Sequence, residues 1–337
     1  MRAVRLHGVG DLRAEEIAEP ARPGTGEVTL RLTAAGICGS DLHNFRTGAW
    51  ITRAPSVAGH EFTGVVSAIG TGVDDLGLGD RIIVDSRYLC GACPACLSGR
   101  GQVCARLGFL GEVIDGGFAE AVTLPARNVI AAPAGVLDRH LAMAEPLAVA
   151  LHALRRLAAP DGAGIAVIGC GPIGGLVALL ARRMGHEVRV FDRNARRASI
   201  VANATGARVG TAEHLPGCSD DGAAIRHVVE TTGSDQVIRS LIATLPGCGT
   251  IALVGIRRTA PVIDPGVLVE REISVLGCHA FADRDLHDVA GMLPALSPAL
   301  DPFIAEQIPL AEVPAAYARH IAGLKTIIFC GAGQNGG

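Results

Sequence analysis

The sequence has 337 residues, enough for about two domains, with a net charge of -3 and an apolar fraction of 49%. This net charge gives no indication of a basic surface for nucleic acid or an anionic membrane. The sequence has no run of about 18 apolar residues, the length needed to span a bilayer. The N-terminus alternates like a strand and lacks the apolar core of a signal peptide. We therefore expect a cytoplasmic protein that acts on neither nucleic acid nor membranes.

The N-terminal region is rich in short alternating segments separated by glycines. Residues 27–32 alternate apolar and polar side chains with a period of two, and residues 60–66 and 80–84 continue in the same style. After residue 116 the pattern resumes through Ile130. This region is predicted to be all-β and barrel-like.

A first cluster of polar side chains occupies 24 consecutive positions of this region. Its members are Cys38, Ser40, Asp41, His43, His60 and Glu61. A thiolate and an imidazole are ligands that suit zinc, and the remaining groups could orient ligands or move protons. The alternative is a glycine-rich turn followed by a strand that happens to carry polar residues.

A second cluster holds four of the ten cysteines, at Cys90, Cys93, Cys96 and Cys104. Without a secretory signal, such spacing indicates a metal site rather than disulfides. Four thiolates on one loop close a tetrahedron around a structural zinc. Unrelated buried cysteines and an iron–sulfur cluster are the alternatives, but ferredoxin-like spacing is different.

Beyond Ile130 the composition becomes rich in alanine and leucine, and residues 140–157 are predicted to be helical. Glu145 lies inside this apolar run, directly before Pro146. A buried carboxylate needs a partner, so Glu145 could be a metal ligand. It could equally be a first-turn glutamate stabilised by the helix dipole, with proline beside it.

A nucleotide-binding pattern follows. Residues 164–168 form a short apolar strand, the glycines of a GxGxxG motif follow at once, and a helix leads to a second strand ending at Asp192. The glycines allow backbone amides and a helix N-terminus to meet a pyrophosphate, and the acid would accept from the adenosine ribose. Asp192 favours NAD, but three nearby arginines could hold the 2′-phosphate of NADP: Arg193, Arg196 and Arg197.

The alternation of strands and helices continues to the end of the sequence. Strands are predicted over 227–233, 249–255, 273–279 and 326–329, and helices over 234–245, 283–296 and 313–323. Residues 331–337 are predicted to be a disordered tail.

These motifs, in this order, resemble the zinc-dependent medium-chain dehydrogenase/reductase superfamily over essentially the whole chain. The segment 144–150, Ala-Glu-Pro-Leu-Ala-Val-Ala, is similar to the sorbitol, idonate and threonine dehydrogenase branch. The resemblance implies an α/β two-domain fold. Residues 1–146 and 281–337 would form a GroES-like β-barrel catalytic domain with a structural zinc lobe at 88–106, and 147–280 a Rossmann domain with a doubly wound parallel sheet.

The resemblance also implies roles for individual residues. Cys38 and His60 would bind a catalytic zinc, with Glu61 and Glu145 completing its shell directly or through water. Asp41 would orient His60, while Ser40 would accept the substrate proton and His43 would pass it to solvent. A second zinc would sit in the four-cysteine lobe. The nucleotide contacts implied are Gly169, Gly171, Pro172, Ile173, Gly174, Asp192, Arg193, Arg197, Thr231, Val254 and Gly255.

Substrate contacts are implied less sharply. Trp50 and Phe118 would line an apolar wall or belong to the core, and His279 would contact substrate or be an interface histidine. Polyol dehydrogenases usually carry an arginine and an aromatic just after the last Rossmann strand, but residues 277–281 of this sequence contain no arginine, and the next one is Arg284. A polyol, cyclitol, sugar acid or simple secondary or amino alcohol therefore stays open, as does a catalytically silent nucleotide-binding relative. The resemblance further implies a dimer or tetramer joined through the Rossmann domains.

Overall fold

The computed structural model describes residues 1–211, 225–256, 263–319 and 324–331. The chain divides into two compact units. The first unit is Met1–Glu145 with Ala282–Gly337, and the second is Pro146–Phe281.

The strands, in chain order, are β1 Arg2–Gly8, β2 Asp11–Glu16, β3 Glu27–Gly36, β4 Ser56–Val57, β5 Glu61–Ile69, β6 Arg81–Val84, β7 Arg87–Tyr88, β8 Gly108–Phe109, β9 Ala121–Pro125, β10 Val129–Ala131, β11 Gly164–Ile168, β12 Glu187–Phe191, β13 Arg208–Val209, β14 His227–Glu230, β15 Thr250–Leu253, β16 Ser274–Gly277, β17 Ile304–Pro309 and β18 Lys325–Phe329. The α-helices are α1 Gly39–Thr47, α2 Pro94–Leu97, α3 Asp138–Leu141, α4 Ala144–Leu157, α5 Pro172–Arg183, α6 Ala195–Thr205, α7 Asp235–Thr244, α8 Pro265–Glu270, α9 Asp283–Leu296 and α10 Val313–Ala318. None of the helices within the described ranges is long and apolar enough to cross a membrane.

The first unit is built on the long strand β3. Its sheet runs β10-β6-β5-β3-β18-β17, and β9 also pairs with β3. Only β17 and β18 pair in parallel in this sheet, and the other pairings are antiparallel. Alternate residues of β3 are buried, as expected for a strand with one face on a core. The predicted strand-rich character of this region is confirmed.

The second unit has a six-stranded, wholly parallel sheet in the order β13-β12-β11-β14-β15-β16. Strand β11 is continuously apolar, and β11, β12 and β14 are mostly buried, as strands covered on both faces are. The order reverses on either side of β11, which is the switch point where such sheets bind ligands. This confirms the doubly wound fold expected from the sequence.

The local differences from the predictions have physical causes. The stretch after Cys38, for which no helix was predicted, forms helix α1, because Asp41 accepts the backbone N–H of Cys38 and so caps the helix. The helix predicted over 140–157 is interrupted, and α4 starts at Ala144 because Pro146 fits only a first turn. Helix α10 ends at Ala318, and its predicted extension over 320–323 lies outside the described residues, as does the tail from 332.

Candidate metal centres and nucleotide site

The first candidate centre is assembled where α1 begins. Cys38 precedes the helix in an extended conformation, and its N–H donates to Asp41 Oδ2 at 2.9 Å. The other oxygen of that carboxylate, Oδ1, lies 3.1 Å from His60 Nδ1. Asp41 therefore caps the helix and fixes the imidazole, and Nε2 of His60 is left available as a ligand.

Strand pairing brings the third group to this centre. Glu61 opens β5 and stands opposite Gly36 at the end of β3. A Cβ atom at Gly36 would collide with the Glu61 carboxylate, so only glycine leaves room for it. As a result, ligand atoms of Cys38, His60 and Glu61 all lie within 4.8 Å of one another.

A buried ion pair completes this arrangement, and sequence reasoning missed it. Lys325 Nζ forms an ion pair with Glu61 Oε2 and donates to Ile37 O at 3.1 Å, with both charged side chains buried. Burial lowers the pKa of Lys325, but Glu61 outweighs it and raises the pKa above its ordinary value. The sequence did contain a sign of this ion pair. Lys325 is its only lysine, and all the other residues counted as lysine or arginine are arginine.

Glu145 is buried at the start of α4 and accepts from Ser86 Oγ at 3.0 Å. Burial, with opposing contributions from His60 and Glu61, raises its pKa to about 7. Its carboxylate does not belong to the group of mutually close ligand atoms formed by Cys38, His60 and Glu61. Glu61 therefore belongs to the group of close ligand atoms, whereas Glu145 lies near enough for the charges of His60 and Glu61 to affect its pKa.

This centre fits a zinc ion. A thiol, an imidazole and a carboxylate are the donors that zinc takes in sites with an open position. Glu61 Oε1 is buried and has no hydrogen-bond partner among the described residues. A buried carboxylate oxygen without a partner is costly, so a cation beside it would satisfy it.

The four cysteines form the second candidate centre. Sulfur separations are 3.9 Å for Cys90–Cys96, 3.6 Å for Cys93–Cys96 and 3.9 Å for Cys93–Cys104. A tetrahedron with zinc–sulfur bonds of about 2.3 Å has edges of about 3.8 Å, so the spacing fits zinc. Backbone N–H groups of Ala92 and Cys93 lower the pKa of Cys90 to about 6, which favours its thiolate.

The residues predicted to move protons lie on α1. Ser40 and His43 are one helical turn apart and half-buried. The His43 ring lies against Trp50, with centroids 5.0 Å apart. Trp50 therefore neighbours the predicted proton path. Phe109, which sequence reasoning did not single out, lies 6.4 Å from the His60 ring.

The other two predicted substrate residues are placed differently. Phe118 has no exposed surface and packs in the core of the first unit, beside Tyr317. Its ring fills the space that a side chain at Gly59 would need. The structure thus favours core packing over a cleft wall for Phe118. His279 is exposed just after β16, and its contact with substrate stays a prediction.

The glycine motif occupies the carboxyl end of β11. Gly169 has a φ of 96°, and Gly171 is the N-cap of α5, whose first residue is Pro172. A Cβ at Gly174 would overlap the carbonyl of Gly169, so the third glycine allows strand and helix to approach. Thr231, after β14, holds this turn by donating to the carbonyl oxygens of Ile168 and Gly169. Ile173 lies in the first turn of α5, and Val254 and Gly255 follow β15.

Asp192 follows β12 and is already engaged. Its carboxylate accepts from the N–H of Cys170 at 2.7 Å and forms a two-point contact with Arg197. Burial opposes ionisation, but Arg197 and the backbone donors lower the pKa of Asp192. Arg193 and Arg196 are exposed. The structure therefore joins the predicted ribose acceptor to one of the three arginines near it.

Comparison with known proteins agrees with this geometry. Residues 24–134 match the alcohol dehydrogenase GroES-like domain, and residues 172–297 match the zinc-binding dehydrogenase family. A 2-dehydro-3-deoxy-L-galactonate 5-dehydrogenase from Pseudoalteromonas atlantica is 33% identical over 93% of this chain and 94% of its own length. A sorbitol dehydrogenase from Halalkalibacterium halodurans is 31% identical over 85% and 86%.

Solved structures with bound nucleotide are similar as well. An Escherichia coli CFT073 alcohol dehydrogenase in complex with NADH is 26% identical, with a TM-score of 0.88 over 98% of this chain and 99% of that one. A zinc-binding dehydrogenase from Sinorhizobium meliloti bound to NADP is 28% identical, with a TM-score of 0.90 over 97% and 98%. The chain belongs to the zinc-dependent medium-chain alcohol dehydrogenase family, in its sorbitol dehydrogenase-like branch.

Proposed function

We propose that this enzyme oxidises a secondary alcohol that is a polyol, a cyclitol or derived from a sugar, and gives a ketone with NAD as hydride acceptor. The observation that carries the proposal is the convergence of Cys38, His60 and Glu61, with one carboxylate oxygen that has no hydrogen-bond partner within the described ranges. The named relatives act on galactonate-derived and sorbitol substrates, which supports a substrate with several hydroxyls.

Cys38 and His60 would hold the catalytic zinc, and a glutamate would complete its shell. Zinc supplies Lewis acidity, which lowers the pKa of a hydroxyl from about 16 towards 7. Asp41 keeps the His60 ring in place through its hydrogen bond to Nδ1. Ser40 would accept the hydroxyl proton and His43, one turn further, would pass it on.

We propose different states for the two glutamates. Lys325 holds one oxygen of Glu61, and the other has no hydrogen-bond partner in the part of the chain that the structure describes, so Glu61 would ligate through Oε1. Glu145 is held by Ser86 and has a pKa of about 7, so it would enter the shell in exchange with Glu61 or through water. Two carboxylates, one held by Lys325 and the other by Ser86, would allow the shell to change without loss of the ion.

NAD is the proposed cofactor. Relatives with NADH and with NADP both support a nicotinamide nucleotide, and the choice between them rests on Asp192. Because Asp192 neutralises Arg197, that arginine is not free to attract a 2′-phosphate. Asp192→Ala should raise the KM for NAD about tenfold, which corresponds to the loss of one hydrogen bond to a charged group. It should lower the KM for NADP, because Arg197 would lose the carboxylate that it now pairs with. Unchanged KM values for both would contradict this assignment.

The remaining expectations are part of the same proposal. Zinc would number two per chain, the second held by Cys90, Cys93, Cys96 and Cys104, whose geometry fits it. A dimer or tetramer and a cytoplasmic location stay predictions.

A substrate screen tests the function. Purified protein is assayed with polyols, aminocyclitols, sugar acids, amino alcohols and simple secondary alcohols, each with NAD and NADP. We expect NADH formation with a substrate that carries neighbouring hydroxyls, and loss of that activity after chelation with recovery on adding zinc. Activity that survives complete removal of zinc would overturn the proposal.

A further inference from the structure

A small cavity lies beside Asp41, within the first unit. Its volume is about 20 Å³. Apolar side chains from β1, β2 and the loop before β5 form part of its lining, and Gly59 and Gly111 contribute backbone. Four polar side chains also face it: Asp41, Asn44, Glu112 and Tyr317. One of these, Asp41, is the residue that fixes His60.

Two of the polar groups have no hydrogen-bond partner among the described residues. Tyr317 is 3% exposed, and its hydroxyl is buried without a hydrogen bond to any described residue. The Glu112 carboxylate is likewise without a hydrogen bond from the described part of the chain. Burial raises the pKa of Glu112 to about 7, with His60 opposing this and Asp41 adding to it. A buried hydroxyl without a hydrogen bond is destabilising, so native proteins rarely leave one unpaired.

The cavity has the size and chemistry for one water molecule. A water needs about 10–15 Å³ of such volume and two to four polar partners. Asp41 already accepts from Cys38 N and His60 Nδ1, but each of its oxygens has a further lone pair. A water there could accept from the Tyr317 hydroxyl and donate to Asp41 and Glu112.

We propose that this cavity holds one buried water that joins Tyr317 and Glu112 to Asp41, and that these two residues position the zinc ligand His60. The inference rests on the proposed zinc centre at Cys38 and His60. Tyr317 and Glu112 touch neither metal nor substrate, and act by holding the carboxylate that holds the imidazole. Groups that support a ligating histidine in this way commonly change metal affinity by about 10–100-fold when removed.

The hydroxyl can be removed without disturbing the packing. The Tyr317 ring packs edge-on against Phe45 and Phe118, with ring centroids 5.4 Å and 6.5 Å away, respectively. Tyr317→Phe keeps both ring contacts. The sequence has only one other tyrosine, Tyr88, which lies under Arg127 and does not line the cavity. Tyr88→Phe is therefore a matched control. Glu112→Gln removes the charge while keeping the shape, and Glu120→Gln, on a residue paired with Arg2, is its control.

The experiment measures zinc affinity. The full-length, zinc-loaded protein is equilibrated against a graded series of chelator concentrations, and both bound zinc ions are followed. We expect Tyr317→Phe and Glu112→Gln to weaken one zinc site at least tenfold, while the four-cysteine site and both controls stay unchanged. A high-resolution crystal structure of the wild-type protein should show the water within hydrogen-bond distance of Tyr317 Oη.

The outcomes separate this inference from the proposed function. A wild-type protein that binds only one zinc would contradict the proposed catalytic centre itself. Two zinc sites in the wild type, with affinities that neither variant changes by more than twofold, would overturn the inference alone. A dry cavity in the crystal structure would overturn it as well. If one variant fails to fold, the other, together with the crystal structure, still decides the matter.

Discussion

The first unit holds two candidate zinc centres that differ in almost every respect. The four cysteines come from 15 consecutive residues and carry identical donors. The centre at Cys38, by contrast, draws His60 and Glu61 from the start of β5 and a counter-charge from Lys325, 264 positions beyond Glu61. One centre is closed by a short loop, and the other depends on the folding of the whole unit.

The two sets of donors suit a structural role for one centre and a catalytic role for the other. A set of four thiolates leaves no position for substrate, so its zinc can only hold the lobe together. A mixed set with an unpartnered carboxylate oxygen can accept a further ligand. The two centres should therefore respond differently when a ligand is removed.

The largest effect is expected from Cys38→Ser. Loss of the thiolate should remove the catalytic zinc and lower the turnover number by about 10⁴-fold or more, because Lewis acidity contributes several kcal/mol. The zinc content found by metal analysis should fall from two ions per chain to one. Steady-state kinetics and zinc content are measured on the same preparation, and normal turnover in a one-zinc variant would contradict the role of this centre.

Lys325→Met should have the next largest effect. Its removal leaves Glu61 charged and buried without compensation, which typically costs about 3–5 kcal/mol. Urea unfolding of the zinc-free protein measures this. The double variant Glu61→Gln with Lys325→Met should recover most of the lost stability, whereas additive losses would show that the ion pair is not what matters.

Cys96→Ser tests the other centre. We expect loss of the lobe zinc and a fall in the thermal midpoint of roughly 5–10 °C, at about 2–4 °C per kcal/mol for units of this size. Molecules that stay folded should keep the KM for substrate. Assays below the new midpoint check this, and a changed KM with unchanged stability would mean that the lobe takes part in the chemistry.

Asp301→Asn should have the smallest effect and serves as a control, because Asp301 belongs to neither set of ligands. Asp301 pairs with Arg139 and His140, which lower its pKa to about 2. A depressed carboxyl pKa contributes stability above about pH 4 that is lost as the pH falls towards 2. Because Asp301 is 55% exposed, the contribution is at most about 1 kcal/mol. The variant should be less stable than the wild type by this amount between about pH 4 and 8, and the two should become equally stable as the pH falls towards 2. Unfolding measured across this range checks the prediction, and a difference that persists below about pH 2 would refute the cause.

Local patterns in the sequence were enough to predict much of the fold. The parallel sheet followed from the apolar strand, the glycines and Asp192, because these share one short βαβ segment. Helix α9 begins and ends at the predicted residues. Helix α1 was missed because a capping contact, between Asp41 and the backbone of Cys38, outweighed the glycine-rich composition around it.

The candidate site was predictable only in part. The four cysteines are recognisable because their spacing is local. Lys325 and Tyr317 were not, since antiparallel pairing of β18 with β3, and the packing of α10, bring them to residues far away in sequence. A single lysine among many arginines was the available signal, and it carries information only once its burial beside Glu61 is known.

We propose that the two centres hold separate zinc ions and that only one of them serves catalysis. The most direct test is to titrate the wild-type protein with a mild chelator while zinc content and alcohol oxidation are followed together. We predict two zinc ions at the start, with activity lost in step with the first and the second retained on a folded chain. A single zinc ion at the start, or activity that follows the second ion, would contradict the account.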